Sequence, residues 1–177
     1  MHSPIGNFAD ARPATECCDL LAPPVAAAAT AEVLHVDSDP AHADTDVFAR
    51  TYGVPLDRSA NCVVVAGKRG QTVTLAACVV LATTRVDVNG LVRRHLGARK
   101  ASFASMETAV EATGMEYGGI TPIGLPEGWP LLIDPAVVDA PHLIIGSGRR
   151  RGKLIAPGKA LAALPGATVL EGLGLPA

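Results

Sequence analysis

A chain of 177 residues is one domain on length alone and is long enough to bury a core. Apolar residues make up 49% but only six side chains are aromatic, so that core is built from Val, Leu, Ile and Ala. No apolar run reaches the roughly 20 residues of a membrane span, and a formal charge of −2 says nothing by itself about nucleic acid.

In chain order, residues 1–30 are rich in Pro and Ala and read as an N-terminal arm, loosely held over Met1 to Pro13, with room for a first helix after Pro23-Pro24. The start lacks the basic-then-apolar order of a signal peptide, so a soluble, cytoplasmic protein is expected. Residues 31–177 read as the folded domain. Alternation over residues 32–37 predicts a short strand. Asp44 or Thr45 caps a helix that Gly53 closes. Residues 62–66 and 72–83 predict a hairpin turned by Gly67-Lys68-Arg69-Gly70. Asp87 caps a helix ending at Gly97, with Val88, Leu91, Val92 and Leu96 on one face and Arg93 and Arg94 outward. Ser105 opens another, with Met106, Ala109 and Val110 inward and Gly114 as its stop. Residues 131–134, 142–146 and 168–170 predict strands, and Pro157-Gly158 opens a last helix. Short helices among hairpin-linked strands give an α+β class: a mixed, largely antiparallel curved sheet with helices packed on it.

Between the helix of Ser105 and the strand at residue 131 lies Gly118-Gly119-Ile120-Thr121-Pro122-Ile123-Gly124-Leu125-Pro126. Glycine lets backbone N–H groups approach a ligand and proline fixes the bend that aims them. An ordinary two-turn connection is the bland alternative. Consecutive amides in such a turn form a donor site for a carbonyl that becomes an oxyanion, and need no ionisable side chain. Four segments in order resemble the YbaK / prolyl-tRNA-synthetase-associated editing domain family. They are Gly53-Val54-Pro55 with Ala60-Asn61-Cys62-Val63-Val64-Val65, then Leu96-Gly97-Ala98-Arg99-Lys100, then Gly118 to Pro122 in place of the family's G-x-x-x-P loop, then Ile144-Ile145-Gly146-Ser147-Gly148-Arg149-Arg150.

The resemblance implies a curved mixed sheet around a pocket, and a loop of Gly118, Gly119, Ile120, Thr121 and Pro122 that holds the ester carbonyl of a mischarged aminoacyl-tRNA. A ribose hydroxyl of the substrate helps water attack, so no nucleophile triad is required. The chain has neither a G-x-S-x-G elbow nor a P-loop. One departure stands out: the family's active-site lysine falls on Asn61, which keeps donor and acceptor capacity but no charge. Lys68 is too far along the same strand to replace it. Cys62, Gly146, Ser147 and Gly148 complete the expected pocket. Tyr117 and Trp129 are candidates to stack on a terminal adenine, with core packing the alternative for one of them, and Glu116 and Asp134 are candidates for an amino group. Asp134 reads equally as a turn residue before Pro135.

Residues 1–57 carry nine acids and two bases, and residues 58–177 eight acids and thirteen bases, so a basic surface falls in the later part. Arg149, Arg150, Arg151 and Lys153, with Arg93 and Arg94 as a weaker patch, are expected at RNA phosphates; a solvated face is the alternative. Cys17, Cys18, Cys62 and Cys78 show no zinc spacing, and His2, His35, His42, His95 and His142 are scattered, so neither metal nor cofactor is expected. The expected function is a free-standing aminoacyl-tRNA deacylase that removes a small amino acid, with tRNA as partner, a synthetase as a second, and neither DNA nor membrane. The alternative is a binding module of the same fold that lost hydrolysis with the lysine.

Overall fold

The computed structural model describes residues 2–177. Its first part holds β1 (Ala11–Pro13), α1 (Pro23–Ala28), β2 (Leu34–Val36) and α2 (Thr45–Tyr52). The long hairpin β3 (Ala60–Arg69) and β4 (Thr72–Leu81) follows, then β5 (Thr84–Val86), α3 (Arg93–His95), β6 (Lys100–Phe103) and α4 (Met106–Thr113). The last part comprises β7 (Leu131–Ile133), α5 (Pro135–Asp139), β8 (Leu143–Gly146), β9 (Lys153–Ala156), α6 (Gly158–Ala162), β10 (Ala167–Val169) and β11 (Gly174–Pro176).

The class is α+β with antiparallel pairing dominant, as the pattern predicts. Its strands divide into a five-stranded sheet ordered β10-β7-β4-β3-β6, a four-stranded sheet ordered β1-β2-β9-β8, and the pair β11-β5. Only β10-β7 and β7-β4 are parallel. A single parallel bridge, Ser59 to Ile144, joins the two larger sheets.

Period-2 alternation explains why β4 is apolar along both faces. Ala77 and Val79 enter the central cluster with Leu131, Ile133, Ile145 and Leu154. Ala76, Cys78 and Val80 pack on the opposite side with Val65, Val88, Val92 and Leu132. A sheet covered on both faces needs continuous hydrophobicity rather than alternation. A third cluster sets Phe48 of α2 against Val36, Ile144 and Ile155.

Local signals end the helices where expected. Gly53 and Gly114 follow α2 and α4 at φ +66° and +68°, and each donates its N–H back to the helix, to Ala49 and Val110. The Asp87 carboxylate accepts from the amides of Gly90 and Leu91, both at 3.1 Å, and starts a π-helical stretch, Val88–Val92, that runs into α3. Along α4, Ala109 and Thr113 are buried while Met106, in the first turn, is exposed. The β3–β4 turn is Gly70-Gln71, later than expected, because Gly67, Lys68 and Arg69 pair with Thr74, Val73 and Thr72. The first thirty residues are built into the fold: β1 pairs with β2, and Ala11, Ala14, Leu21 and Val25 are fully buried. Small Ala side chains, which look like a linker in composition, let this segment lie close to the sheet.

Candidate active site

A cavity of about 390 Å³ opens where the two larger sheets meet. β3 contributes Asn61 to Val64, β8 contributes Ile144 to Gly146, and the start of α2 contributes Asp44, Thr45 and Phe48. Tyr117, Gly118 and Ile120 come from the glycine-proline segment, Phe103 from the end of β6, and Lys153 from the first position of β9.

The glycine loop is docked on the turn after β8 rather than left to hang. The Gly148 N–H donates to the Gly119 carbonyl at 2.8 Å, and the Glu116 N–H donates to the Gly148 carbonyl at 2.8 Å. Arg150 N–H adds a bond to Glu116 Oε1 at 3.1 Å. Gly146 makes this approach possible, since a Cβ there would collide with the Gly119 carbonyl oxygen. Gly119 itself faces away from the cavity, against the Arg149 backbone, and its N–H donates to Glu116 O at 3.0 Å. The donors left for a ligand are therefore the amides of Gly118 and Ile120, which line the cavity and have no hydrogen-bond partner among the described residues. Thr121 donates its N–H to Met115 Sδ at 3.5 Å and is fully buried with an unpartnered hydroxyl, and Pro122 is buried behind it.

Asn61 Oδ1 accepts from Thr45 Oγ1 at 3.1 Å, which fixes the carboxamide at the cavity wall. Opposite, Lys153 reaches in from the edge of β9. Its ammonium donates to Ala43 O and Gly118 O, both at 3.4 Å, and stands 5.5 Å from the centroid of the Phe48 ring. Lys153 is only 8% exposed and does not share the solvent face of the arginines before it. Burial lowers its pKa to about 8, assisted by the nearby Arg150 charge and opposed by Asp44.

The remaining sequence candidates separate by position. Cys62 lines the cavity, but burial raises its pKa, with Cys78 adding to the rise, so the thiol stays protonated and is no nucleophile. Tyr117 is 52% exposed at the rim, and Phe103, 59% exposed, stands there too. Trp129 packs on the central core. Ser147 is fully buried and holds the arginine turn, its single O–H proton shared between the carbonyls of Arg149 and Arg151, both 3.0 Å away. Asp134 lies away from the cavity: it caps α5 through Ala136 N–H at 2.9 Å and accepts from Gly174 N–H at 2.7 Å. The acid that does line the cavity is Asp44, 3.9 Å from Arg150. Arg151 is paired with Asp37 at 2.9 Å, Arg150 reaches Tyr117 O and Pro40 O, and Arg149 is exposed. Arg93 and Arg94 sit on α3, beside the Gly67 end of β3 rather than its Asn61 end. Among the described residues no cluster of His, Cys, Asp or Glu has the arrangement of a metal site.

Functional groups of the cavity that sequence reading misses are Lys153 as an interior group, Asp44, Thr45, Ser59 and Phe103. Ser59 is buried with an unpartnered hydroxyl on the cavity wall. An alternation count placing Lys153 in phase with Ile155 would have separated it from the arginine run.

A cavity with two free amides, one buried ammonium and no histidine beside its hydroxyls and thiol fits recognition of a carbonyl. Residues 39–164 match the aminoacyl-tRNA editing domain family, well over half the chain. The chain belongs to that family. Solved structures agree in fold. This editing domain is similar to a candidate trans-editing enzyme for prolyl-tRNA synthetase, with 23% identity, TM-score 0.69, and coverage of 89% of this chain and 90% of that one. It is similar also to a scaffold protein used for computational epitope grafting, at 22% identity, TM-score 0.69, and coverage of 89% and 91%. A hypothetical protein matches at 22% identity and TM-score 0.67, covering 75% of this chain and 85% of its own. No described helix of the editing domain is long and apolar enough to cross a membrane.

Proposed function

We propose that this editing domain is a free-standing cytoplasmic hydrolase that removes a small, wrongly attached amino acid from tRNA, with tRNA for proline as the acceptor. The observation that carries the reading is the pair of unpartnered amides, on Gly118 and Ile120, in the lining of a cavity that holds no histidine to activate its Ser59 or Cys62. They bind the ester carbonyl. Water adds to the ester carbon, the carbonyl electron pair moves onto oxygen, and a neighbouring ribose hydroxyl of the substrate relays the proton. The bond to the ribose oxygen then breaks, and that oxygen takes up the proton, releasing the free amino acid and an uncharged tRNA end. Charge developing on the carbonyl oxygen is what preorganised amides stabilise best.

The acceptor rests on the neighbour assigned to prolyl-tRNA synthetase, and the size preference on walls of Ala, Val and Ile that exclude larger side chains. A synthetase that supplies the mischarged tRNA is the second partner. Asp44 takes the α-amino group in place of the sequence candidates Glu116 and Asp134. Arg149 is the arginine of residues 149–151 left for phosphate, since the other two are engaged.

Phe103 and Tyr117 sandwich the terminal adenine. Stacking is worth about 1–3 kcal/mol per base, so Phe103→Ala with Tyr117→Ala weakens binding of an aminoacylated acceptor-stem RNA roughly ten-fold or more. Both side chains are more than half exposed, so the melting temperature should hardly move. Unchanged affinity in a filter-binding titration would remove the rim from the site.

Release of amino acid from a panel of mischarged tRNAs, followed as loss of radiolabel from the RNA, tests the function. Turnover of small aminoacyl groups on tRNA for proline is the expected result. The neutral Asn61, tied to Thr45, favours one second reading: a module that binds aminoacyl ends without hydrolysis. Tight binding with no turnover across the whole panel would select it.

A further inference from the structure

Lys153 is the one Lys or Arg in the cavity lining among the described residues, and no carboxylate lies within 4.0 Å of its nitrogen. Two carbonyl oxygens, Ala43 O and Gly118 O, account for two of its three N–H donors. The acid nearest in effect, Asp44, lies 3.9 Å from Arg150 instead. A buried ammonium held only by neutral dipoles is costly, and such groups concentrate at functional sites. Its bond to Gly118 O also ties it to a residue that carries one of the free amides, in the same cavity lining as Ile120.

We infer that Lys153 is a substrate-contacting cation, placed to balance the negative charge that develops on the ester oxygen bound by the Gly118 and Ile120 amides. The inference rests on the hydrolytic reading of the same cavity. It gives the site a positive charge from β9, across the cavity from the neutral Asn61 of β3. The charged groups that face Lys153 are Arg150 from the β8–β9 connection and Asp44 from the start of α2; β3 and β8 present Asn61, Ile144, Gly146 and the Cys62 thiol, which burial keeps protonated, and the glycine loop presents the Tyr117 phenol at the rim. With its pKa lowered to about 8 by burial, the ammonium keeps its proton at neutral pH and loses it just above.

Two adenosine probes separate ground state from transition state: a planar 3′-alanyl amide, and a 3′-(1-aminoethyl)phosphonate monoester whose tetrahedral anion imitates the intermediate. Calorimetric titration of the full chain should show Lys153→Met losing about 100-fold in affinity for the phosphonate, the scale of one lost oxyanion contact, and much less for the amide. Lys153→Arg should retain phosphonate binding. In the parent, that affinity should fall as pH rises through about 8, and in the Arg variant it should not. If Lys153→Met does not fold, Lys153→Gln replaces it. Equal phosphonate affinity in parent and neutral variant overturns the inference, as does a parent that binds neither probe. Lysine-dependent phosphonate binding without turnover of any mischarged tRNA sinks the hydrolytic reading and leaves the cation contact standing. Turnover unaffected by Lys153→Met does the reverse.

Discussion

Gly146→Ala is expected to reduce deacylation at least about 100-fold, the scale associated with misplacing reacting groups by an ångström. Its single methyl group would overlap the Gly119 carbonyl oxygen and lie 2.8 Å from the Ile120 oxygen. Both are backbone atoms of a loop tied to Gly148 by two hydrogen bonds, so neither yields as a flexible side chain would. The loop must move off β8, taking the Gly118 and Ile120 amides with it. Overpacking of this kind costs about 1–3 kcal/mol of stability as well. Gly128→Ala is the control. Nothing lies within 4 Å of a Cβ there, so only the strain of φ +83° is added and turnover should be untouched. Equal turnover in the parent and Gly146→Ala would show that loop position is irrelevant to the chemistry.

Lys153→Met should make the protein more stable while impairing its site. The lysine pKa falls from an ordinary 10.5 to about 8 on folding, so the unfolded chain holds the proton more tightly. The cost of burying the charge is then fully present below pH 8 and is relieved as pH rises from about 8 towards 10.5. At pH 7 the shift corresponds to roughly 3 kcal/mol; the two long carbonyl bonds, which methionine cannot make, offset about 1–2 kcal/mol of it and leave a net gain of about 1–2 kcal/mol. The gain should shrink when melting is repeated at pH 10. A methionine variant that is less stable than the parent at pH 7 would mean the ammonium is better compensated than its surroundings indicate.

Much of this fold was legible because short-range chemistry decides it. Gly53 and Gly114 stop helices by adopting a left-handed conformation, Asp87 caps through its own carboxylate, and the β3–β4 hairpin follows from β-branched runs around a glycine turn. Strands β1, β5, β6, β9 and β11 carry no clear signal in the sequence, for different reasons. β5 and β11 are three-residue strands that pair only with each other. β1 hides in Pro/Ala composition, and β6 is a short, largely polar edge strand of the five-stranded sheet. β9 opens with Lys153, the last cation of a charged run, so its first residue reads as surface in the sequence.

The site was legible as a set of segments but not as a geometry. That the loop at residues 118–122 would meet the turn at residue 148 follows from the resemblance. Which amides stay free does not, because the Glu116–Gly119 bond that uses the central N–H forms only once the loop is closed. Asp134 and Ser147 carry the right atoms for a site, yet both spend them on backbone groups of neighbouring segments. Lys153 entered the cavity unannounced, since its direction depends on the β8–β9 register that pairs it with Gly146.

The most direct test of the carbonyl-binding site is an amide-resolved NMR titration with the planar alanyl-adenosine amide. The N–H resonances of Gly118 and Ile120 should move strongly downfield on saturation, as new hydrogen bonds form, while that of Gly119, already bonded to Glu116, should shift little. Saturable binding that leaves Gly118 and Ile120 unmoved and perturbs a different surface would contradict it.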